Sequence, residues 1–371
     1  MSGHSKSLLV LALFVLVNVE AWAQSPSPAK STTRLNEQEW LESTPALLRV
    51  NPQKLTALEQ HVRADQPAIR SLLIVRDGAI AYEYYRAGVG PQTLHNVYSV
   101  TKSVVSLLVG AALHEGLIRS TEEKLLDFFP EAKTWPLDAA TAQITLAHML
   151  TLTPGFDRGG LDQLTDYNDF VRRFYAPDLL QHALSRRVAH APGSQFHYSN
   201  LDSHLLSFAL ARRVKTNLVS YAQDKLFTPL GITDFHWPTN ALGEANGAAE
   251  LNLRSRDMAK LGQLVLQQGR WKDRQLVSVN YLAAATRRQG ASNITPPRRP
   301  DLWGYGYLWW TASTPGDDLP SFFAVGYGGQ YIYVVPALNA VVVATTDAQS
   351  RATAPKTGAV IRDYALPAIE R

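Results

Sequence analysis

Apolar and polar residues follow three different rhythms along the chain. Between Ser71 and Arg86 they form two short β-rich runs, Ser71–Arg76 and Ala79–Arg86, split by Asp77-Gly78. An Asp-Gly pair in that setting predicts a hairpin, because a type I′ turn needs positive φ at both central residues. Just upstream, Asn51–Ala64 reads as a helix with Pro52 as its start signal. From Ser99 the rhythm becomes helical. Val104, Val105, Leu107, Leu108, Val109, Ala111, Ala112 and Leu113 wrap most of a cylinder spanning Val100–Glu115, which marks a helix buried on nearly all sides. Gly116 stands where a helix C′ residue belongs. Ser120 and Glu123 are spaced as a capping box for a short following helix. Helical patterns recur over 145–152, 200–214 and 256–268, separated by glycine and proline. Strand character returns in Leu302–Thr311, Ser321–Val325, Gln330–Val335 and Ala340–Thr346, and a last helix is expected over 355–369. Strands, a long helical stretch, strands and a helix in that order predict an α/β domain built from both ends of the chain, 35–92 with 300–371. A mainly helical domain, 93–299, is expected between them, with the active site at the interface.

Composition changes this picture little. The chain has 371 residues, 46% of them hydrophobic and 18% charged, as expected of a globular protein with a sizeable core. The net charge is +4, yet the basic residues are scattered as pairs such as Arg172–Arg173, Arg212–Arg213 and Arg298–Arg299. A nucleic-acid partner would want a clustered basic face, so none is expected. The first 23 residues read as an export signal. Lys6 supplies the charge, Leu8–Val19 the apolar run and Ala21-Trp22-Ala23 a small-x-small cleavage site. The run is too short to span a bilayer, so the mature chain is expected without a membrane span, periplasmic or secreted after cleavage near Ala23. There is no cysteine, hence no disulfide. Residues 24–34, rich in Ser, Pro and Thr, read as a flexible lead-in.

Candidate chemistry begins at Ser99-Val-Thr-Lys102. Positions i and i+3 share a helix face, so the lysine amine stands beside the serine hydroxyl. The helix N-terminus offers N–H groups and partial positive charge to a developing oxyanion. In an apolar setting the lysine pKa would fall, helping it accept the serine proton. Average composition gives roughly one S-x-x-K by chance in a chain this long, and Ser27-Pro-Ala-Lys30 is such a decoy in the lead-in. Ser99 differs because a tightly apolar helix starts right after it; its plain alternative is a helix N-cap. Tyr198-Ser199-Asn200 follows the Pro192-Gly193 loop signal. There a phenol can shuttle protons beside an ammonium and a carboxamide can bind a substrate carbonyl. The plain alternative is a packed tyrosine beside a capping asparagine. A glycine-bearing strand should form the other wall of the cleft. Ala324-Val-Gly326-Tyr-Gly328-Gly329-Gln330 fits, since glycine lets a substrate approach the main chain. Lys356-Thr-Gly358 lies after the last apolar strand and reads as part of the terminal helix.

With these residues in order, the chain resembles the class C β-lactamases, related esterases and 6-aminohexanoate-dimer hydrolases. The resemblance covers residues 50–350. It rests on Leu94-His-Asn-Val-Tyr-Ser-Val-Thr-Lys-Ser103, His148-Met-Leu-Thr-Leu-Thr-Pro-Gly155, Phe196-His-Tyr-Ser-Asn200, Pro229-Leu-Gly-Ile232, Arg256-Asp-Met-Ala-Lys-Leu-Gly262, Tyr305-Gly-Tyr-Leu-Trp-Trp310 and Gly326-Tyr-Gly-Gly-Gln330. It implies a β-lactamase/DD-peptidase-like fold, an antiparallel sheet flanked by helices with an inserted helical domain. It also implies Ser99 as nucleophile, Lys102 as proton acceptor, Tyr198 as proton shuttle and an oxyanion hole from the Ser99 and Tyr327 amides, with Asn200 and Gly326 on the substrate. One departure stands out. Where β-lactamases and cell-wall peptidases of this superfamily place a lysine or histidine at the start of the third motif, this chain has Ala324.

The expected activity is therefore cleavage of a small ester or amide through a Ser99 acyl-enzyme, nearer to the esterase and dimer-hydrolase branch than to a β-lactamase or D-Ala-D-Ala carboxypeptidase. No cofactor or metal is expected, and the oligomeric state is not legible. A non-catalytic penicillin-binding-like sensor is disfavoured because drift would lose at least one of Ser99, Lys102 and Tyr198. There is no G-x-S-x-G elbow and no H-E-x-x-H, against an α/β-hydrolase or a zinc hydrolase.

Overall fold

The Asp77-Gly78 turn takes φ 51 and 78, as the hairpin requires, and it joins two neighbouring strands of the sheet. A computed structural model of the chain describes residues 40–157, 174, 176, 178–289, 304–314, 318–348 and 353–371. The expected export signal, the lead-in and the Ser27–Lys30 decoy lie outside the described residues.

In chain order the elements are β1 (Leu41–Glu42), α1 (Pro52–Asp65), β2 (Ile69–Arg76), β3 (Ala79–Tyr85), β4 (Leu94–Asn96) and α2 (Val100–His114). Short 3-10 turns between Leu125 and Gln143 lead to α3 (Leu146–Leu150), α4 (Leu179–Leu184), α5 (Asn200–Val214), α6 (Leu218–Ala222), β5 (Asn252–Arg254) and α7 (Ser255–Leu266). The chain continues through β6 (Arg270–Trp271), β7 (Arg274–Gln275), α8 (Val279–Ala285), β8 (Gly304–Tyr305), β9 (Trp310–Ser313), β10 (Pro320–Gly326), β11 (Gln330–Val335), β12 (Ala340–Thr346) and α9 (Thr353–Val360).

Eight strands make one sheet in the order β1-β3-β2-β12-β11-β10-β9-β8. Only the two-residue β1 runs parallel to its neighbour; the other pairings are antiparallel. The β2–β12 pairing, with Val341 opposite Val75 and Val343 opposite Leu73, joins the early and late parts of the chain at the centre of the sheet. Side chains alternate between two cores as the period of two demands. Leu73, Val75, Ile332, Val334, Val341 and Val343 face the core shared with α2 and α7. Leu72, Ile74, Tyr331, Tyr333, Val342 and Ala344 face the other, shared with Leu55, Leu58 and Val62 of α1 and with Val360 and Ile361 near the C-terminus. Both faces are covered, which is why these strands read as continuous apolar runs.

The α2 helix is buried from Val100 to Ala112. Its C-terminus closes with Leu117 N–H on Ala112 O at 2.9 Å and Gly116 N–H on Leu113 O at 3.2 Å, around Gly116 at φ 72.

Three local expectations are corrected. No capping box forms at Ser120–Glu123. Glu123 instead accepts from Arg119 N at 2.6 Å and pairs with Arg213 of α5 at 2.6 Å, a partner 90 residues away, and the following 3-10 turn starts later, at Leu125. A capping box appears at Thr145/His148, opening α3. Of the expected strand Leu302–Thr311, residues 302–303 lie outside the described residues, and the rest is two short strands, β8 and β9, around a tight turn. That turn's carbonyls at Tyr307 and Leu308 accept from Ser106 and Ser103 of α2, both at 2.7 Å, instead of entering the sheet. The terminal helix is α9, then a wider π-type turn over Ile361–Ala365, then Leu366–Ala368, which contains Pro367.

Candidate active site

Local backbone chemistry sets the pose of Ser99. Pairing of β4 with β5, extended by Val97 N–H on Leu251 O at 2.8 Å, fixes the approach to α2. Tyr98 then adopts φ 48, a left-handed conformation that costs a non-glycine residue on the order of 1 kcal/mol. The turn is held by Tyr98 N–H on Asn96 Oδ1 at 2.8 Å and by Thr101 Oγ1 on Tyr98 O at 2.6 Å. Ser99 occupies the N-cap position, yet its side chain makes no capping bond. The hydroxyl is engaged elsewhere.

Lys102, only 1% exposed, donates from Nζ to Ser99 Oγ at 3.0 Å. It also donates to Asn200 Oδ1 at 2.7 Å and to Ala248 O at 2.8 Å. The lysine end is therefore not in the apolar setting expected from sequence. Ser99 Oγ, Asn200 Oδ1 and Ala248 O between them engage the hydrogen-bonding positions of the lysine nitrogen.

Tyr198 lies one residue before Ser199, whose Oγ caps α5 by accepting from Asp202 N at 3.0 Å. The cap is thus serine, and Asn200, the first helical residue, is freed to face Lys102. Burial pushes the Tyr198 phenol up to about 12, against a smaller downward pull from its hydrogen bond with Ser99. Tyr198 is therefore a phenol at neutral pH. Lys102 Nζ lies 5.0 Å from the centroid of its ring.

The sequence-predicted residues Ser99, Lys102, Tyr198 and Asn200 thus meet in one place. At the end of β10, an added Cβ on Gly326 would lie 2.2 Å from Val97 O, so only glycine lets this strand abut the segment carrying the nucleophile. Tyr327 follows, 40% exposed, its ring 5.6 Å from that of Tyr98. Ala324 is buried in the core on the α2 side of the sheet, paired opposite Ile332. Lys356-Thr-Gly358 lies in α9, where Gly358 packs on Tyr331, in the core on the opposite face.

Several residues at the site gave no usable sequence signal. Ala248 acts through its carbonyl, which any residue could supply. Its segment is held by Gly247 N–H on His204 Nδ1 at 3.1 Å, and the His204 ring sits 4.9 and 4.5 Å from Phe174 and Phe208. Burial holds the His204 imidazole down at about 3. Trp310 stacks on Tyr198 at 5.8 Å, Tyr305 packs against both rings and Phe196 against Tyr305 and Trp310, an aromatic wall assembled from two distant segments. The density of aromatics in Tyr305–Trp310 was its only trace in the sequence. Among the described residues no group of three or more His, Asp or Glu side chains is placed to hold a metal ion, and no helix is long and apolar enough to cross a membrane.

An antiparallel sheet covered by helices, with a serine beside a buried lysine and a tyrosine where α2 meets β10, defines the class of β-lactamase-fold serine hydrolases. The Beta-lactamase family model matches residues 58–366, and the chain belongs to that family. It is 23% identical over 358 residues to the 6-aminohexanoate-dimer hydrolase of Paenarthrobacter ureafaciens, covering 88% of this chain and 86% of that one. Among solved structures, EstCE1, a hydrolase with promiscuous acyltransferase activity, superposes with a TM-score of 0.68 at 17% identity, covering 86% of this chain and 98% of that one. A penicillin-binding protein homologue from Caulobacter crescentus does so with a TM-score of 0.65 at 16% identity, over 86% and 98%. These structural likenesses establish the common fold.

Proposed function

We propose that the protein is an exported hydrolase that cleaves a small ester or amide through an acyl-enzyme on Ser99. The observation that carries this reading is the 3.0 Å hydrogen bond between buried Lys102 Nζ and Ser99 Oγ, with the Tyr198 ring 5.0 Å from the same nitrogen. A hydroxyl so placed can lose its proton while it attacks. Ser99 Oγ forms a bond to the substrate carbonyl carbon, and its proton passes to the Lys102–Tyr198 pair, accepted by the lysine as a neutral amine and relayed by the phenol. The amides of Ser99 and Tyr327 receive the oxyanion. As the tetrahedral intermediate collapses, the carbon–leaving-group bond breaks and the leaving group takes the proton. Water then adds to the acyl carbon, giving its proton back through the same pair, and releases the acid with Ser99 restored.

Substrate charge follows from the cations the site offers. A carboxylate entering it would lose hydration and needs a cation; Ala324, buried in the core, supplies none, and Lys102 Nζ is already engaged with three oxygens. The aromatic wall favours an uncharged acyl group. Short-chain esters are thus expected to turn over far better than penicillins or D-Ala-D-Ala peptides, and Ala324→Lys should shift the preference towards carboxylates. The reading is tested with a fluorophosphonate probe. It should label the Ser99 peptide, and Ser99→Ala should abolish both labelling and turnover of p-nitrophenyl esters; undiminished labelling of that variant would sink the mechanism. A chromogenic cephalosporin and a linear aminohexanoate dimer assayed beside the esters sort the substrate class. N-terminal sequencing of secreted material should begin at or near Gln24.

A further inference from the structure

The β10–β11 turn, Tyr327-Gly328-Gly329, holds the one amide of the proposed oxyanion hole that does not belong to a helix. Its backbone is intrinsically loose. Gly328 and Gly329 take φ 78 and 110, and a glycine pair flips between conformations at little cost. The Tyr327 side chain is 40% exposed and meets Tyr98 only through a tilted ring contact at 5.6 Å, a weak anchor. Yet three successive carbonyls, Gly326 to Gly328, are held. Gly326 O accepts from Gly329 N at 3.0 Å. Tyr327 O accepts from Gln330 Nε2 at 3.3 Å. Gly328 O accepts from Thr346 Oγ1 at 2.7 Å. The two side chains also clasp each other across β12. Gln330, 0% exposed, donates from Nε2 to Thr346 O at 3.2 Å and Thr346 Oγ1 at 2.9 Å, while its Oε1 accepts from Thr346 N at 3.0 Å. The carboxamide of Gln330 thus mimics a peptide group and continues the β11–β12 ladder past its last rung.

We propose that Gln330 and Thr346 are positioning residues that lock this turn so that the Tyr327 N–H stays aimed at the oxyanion formed on Ser99. Removing an oxyanion donor costs about 10²–10³ in kcat, because the donor must be in place before charge develops. A donor left present but free to swing should cost less. The inference rests on the acyl-serine reading above, and the experiment separates the two.

Thr346→Val keeps the shape of the side chain and deletes the hydroxyl that holds Gly328 O. With p-nitrophenyl esters, kcat is expected to fall about 10–100-fold with KM within about twofold, the signature of an interaction made only in the transition state. Affinity for a boronic acid, which forms a tetrahedral adduct on the serine, should fall by a similar factor. Thr346→Ser, which restores the hydroxyl, should recover most of both. Gln330→Glu, which replaces the donating NH2 by an acceptor, provides a second route should Thr346→Val fold poorly, with near-ultraviolet circular dichroism as the folding check. Folded variants with unchanged kcat and boronate affinity, while Ser99→Ala is inactive, would overturn the positioning role alone. So would a loss of kcat with boronate affinity intact, or one that Thr346→Ser does not rescue. An active Ser99→Ala would instead remove the nucleophile, and with it the reason for an oxyanion hole at Tyr327.

Discussion

At the level of single residues, the site depends on groups whose surroundings fix their protonation and direction. Tyr198 stacks on Trp310 and donates or accepts only at its hydroxyl, so Tyr198→Phe keeps the ring contacts and removes the one group to which proton transfer is proposed. Turnover of esters should drop by roughly 10²–10⁴-fold, as for a lost acid or base, with thermal unfolding little changed. Near-normal turnover would assign the residue to packing. His204 makes the opposite kind of prediction, one of stability. Its pKa in the folded protein is about 3, against about 6.5 for an exposed imidazole. The unfolded chain therefore binds a proton that the native protein refuses. The contribution is complete above about pH 6.5 and is lost as pH falls towards 3. Urea unfolding at pH 7 and pH 4 should show wild type losing more stability than His204→Gln by about 2–3 kcal/mol. His95, held near 4 by burial, adds to the fall in both proteins and cancels from the comparison.

At the level of elements, close approach decides more than propensity. The α7 helix lies on the sheet through Gly262, where an added Cβ would meet Val341 Cγ1 at 2.5 Å and Ile332 Cγ2 at 2.8 Å. Both neighbours are stiff, β-branched core residues. Gly262→Ala should gain helix propensity yet lose on balance about 1–3 kcal/mol through overpacking, seen as a lower urea midpoint at constant m. A stabilised variant would show that the helix can lift off the sheet at no cost. The same element shows why some signals were legible and others were not. The α2 and α5 helices declared themselves through their apolar wrap and the residues at their starts. The Ser120–Glu123 spacing had the form of a cap, but the pull of Arg213 from α5 on Glu123 is invisible in a local window. The Leu302–Thr311 run was split because Ser103 and Ser106 of α2 offered its carbonyls partners outside the sheet.

For the whole molecule, the decisive contact is between β2 and β12, strands more than 260 residues apart, for Val341 lies opposite Val75. Seven buried residues of β12 stand between β2 and β11 and face both cores. A chain ending at Asn339 loses the central strand, not an edge, and should show no cooperative thermal transition by circular dichroism; a native-like transition would mean that β2 and β11 can pair directly. The sequence alone determined the last three sheet strands, the buried helix behind Ser99 and the choice of Ser99, Lys102 and Tyr198 as residues that meet, because period, glycine punctuation and residue chemistry are local and carry their own signal. It also separated the decoy Lys356-Thr-Gly358 from the cleft by its place after the last strand. Only the tertiary structure decided that Asn200 and the Ala248 carbonyl hold the lysine, that Trp310 and Tyr305 wall the site, and that Gln330 and Thr346 clasp the turn bearing Tyr327. Each of those is a contact between segments distant in sequence, made by a backbone atom or a common side chain. Such groups acquire a direction only when the sheet and helices have brought them together.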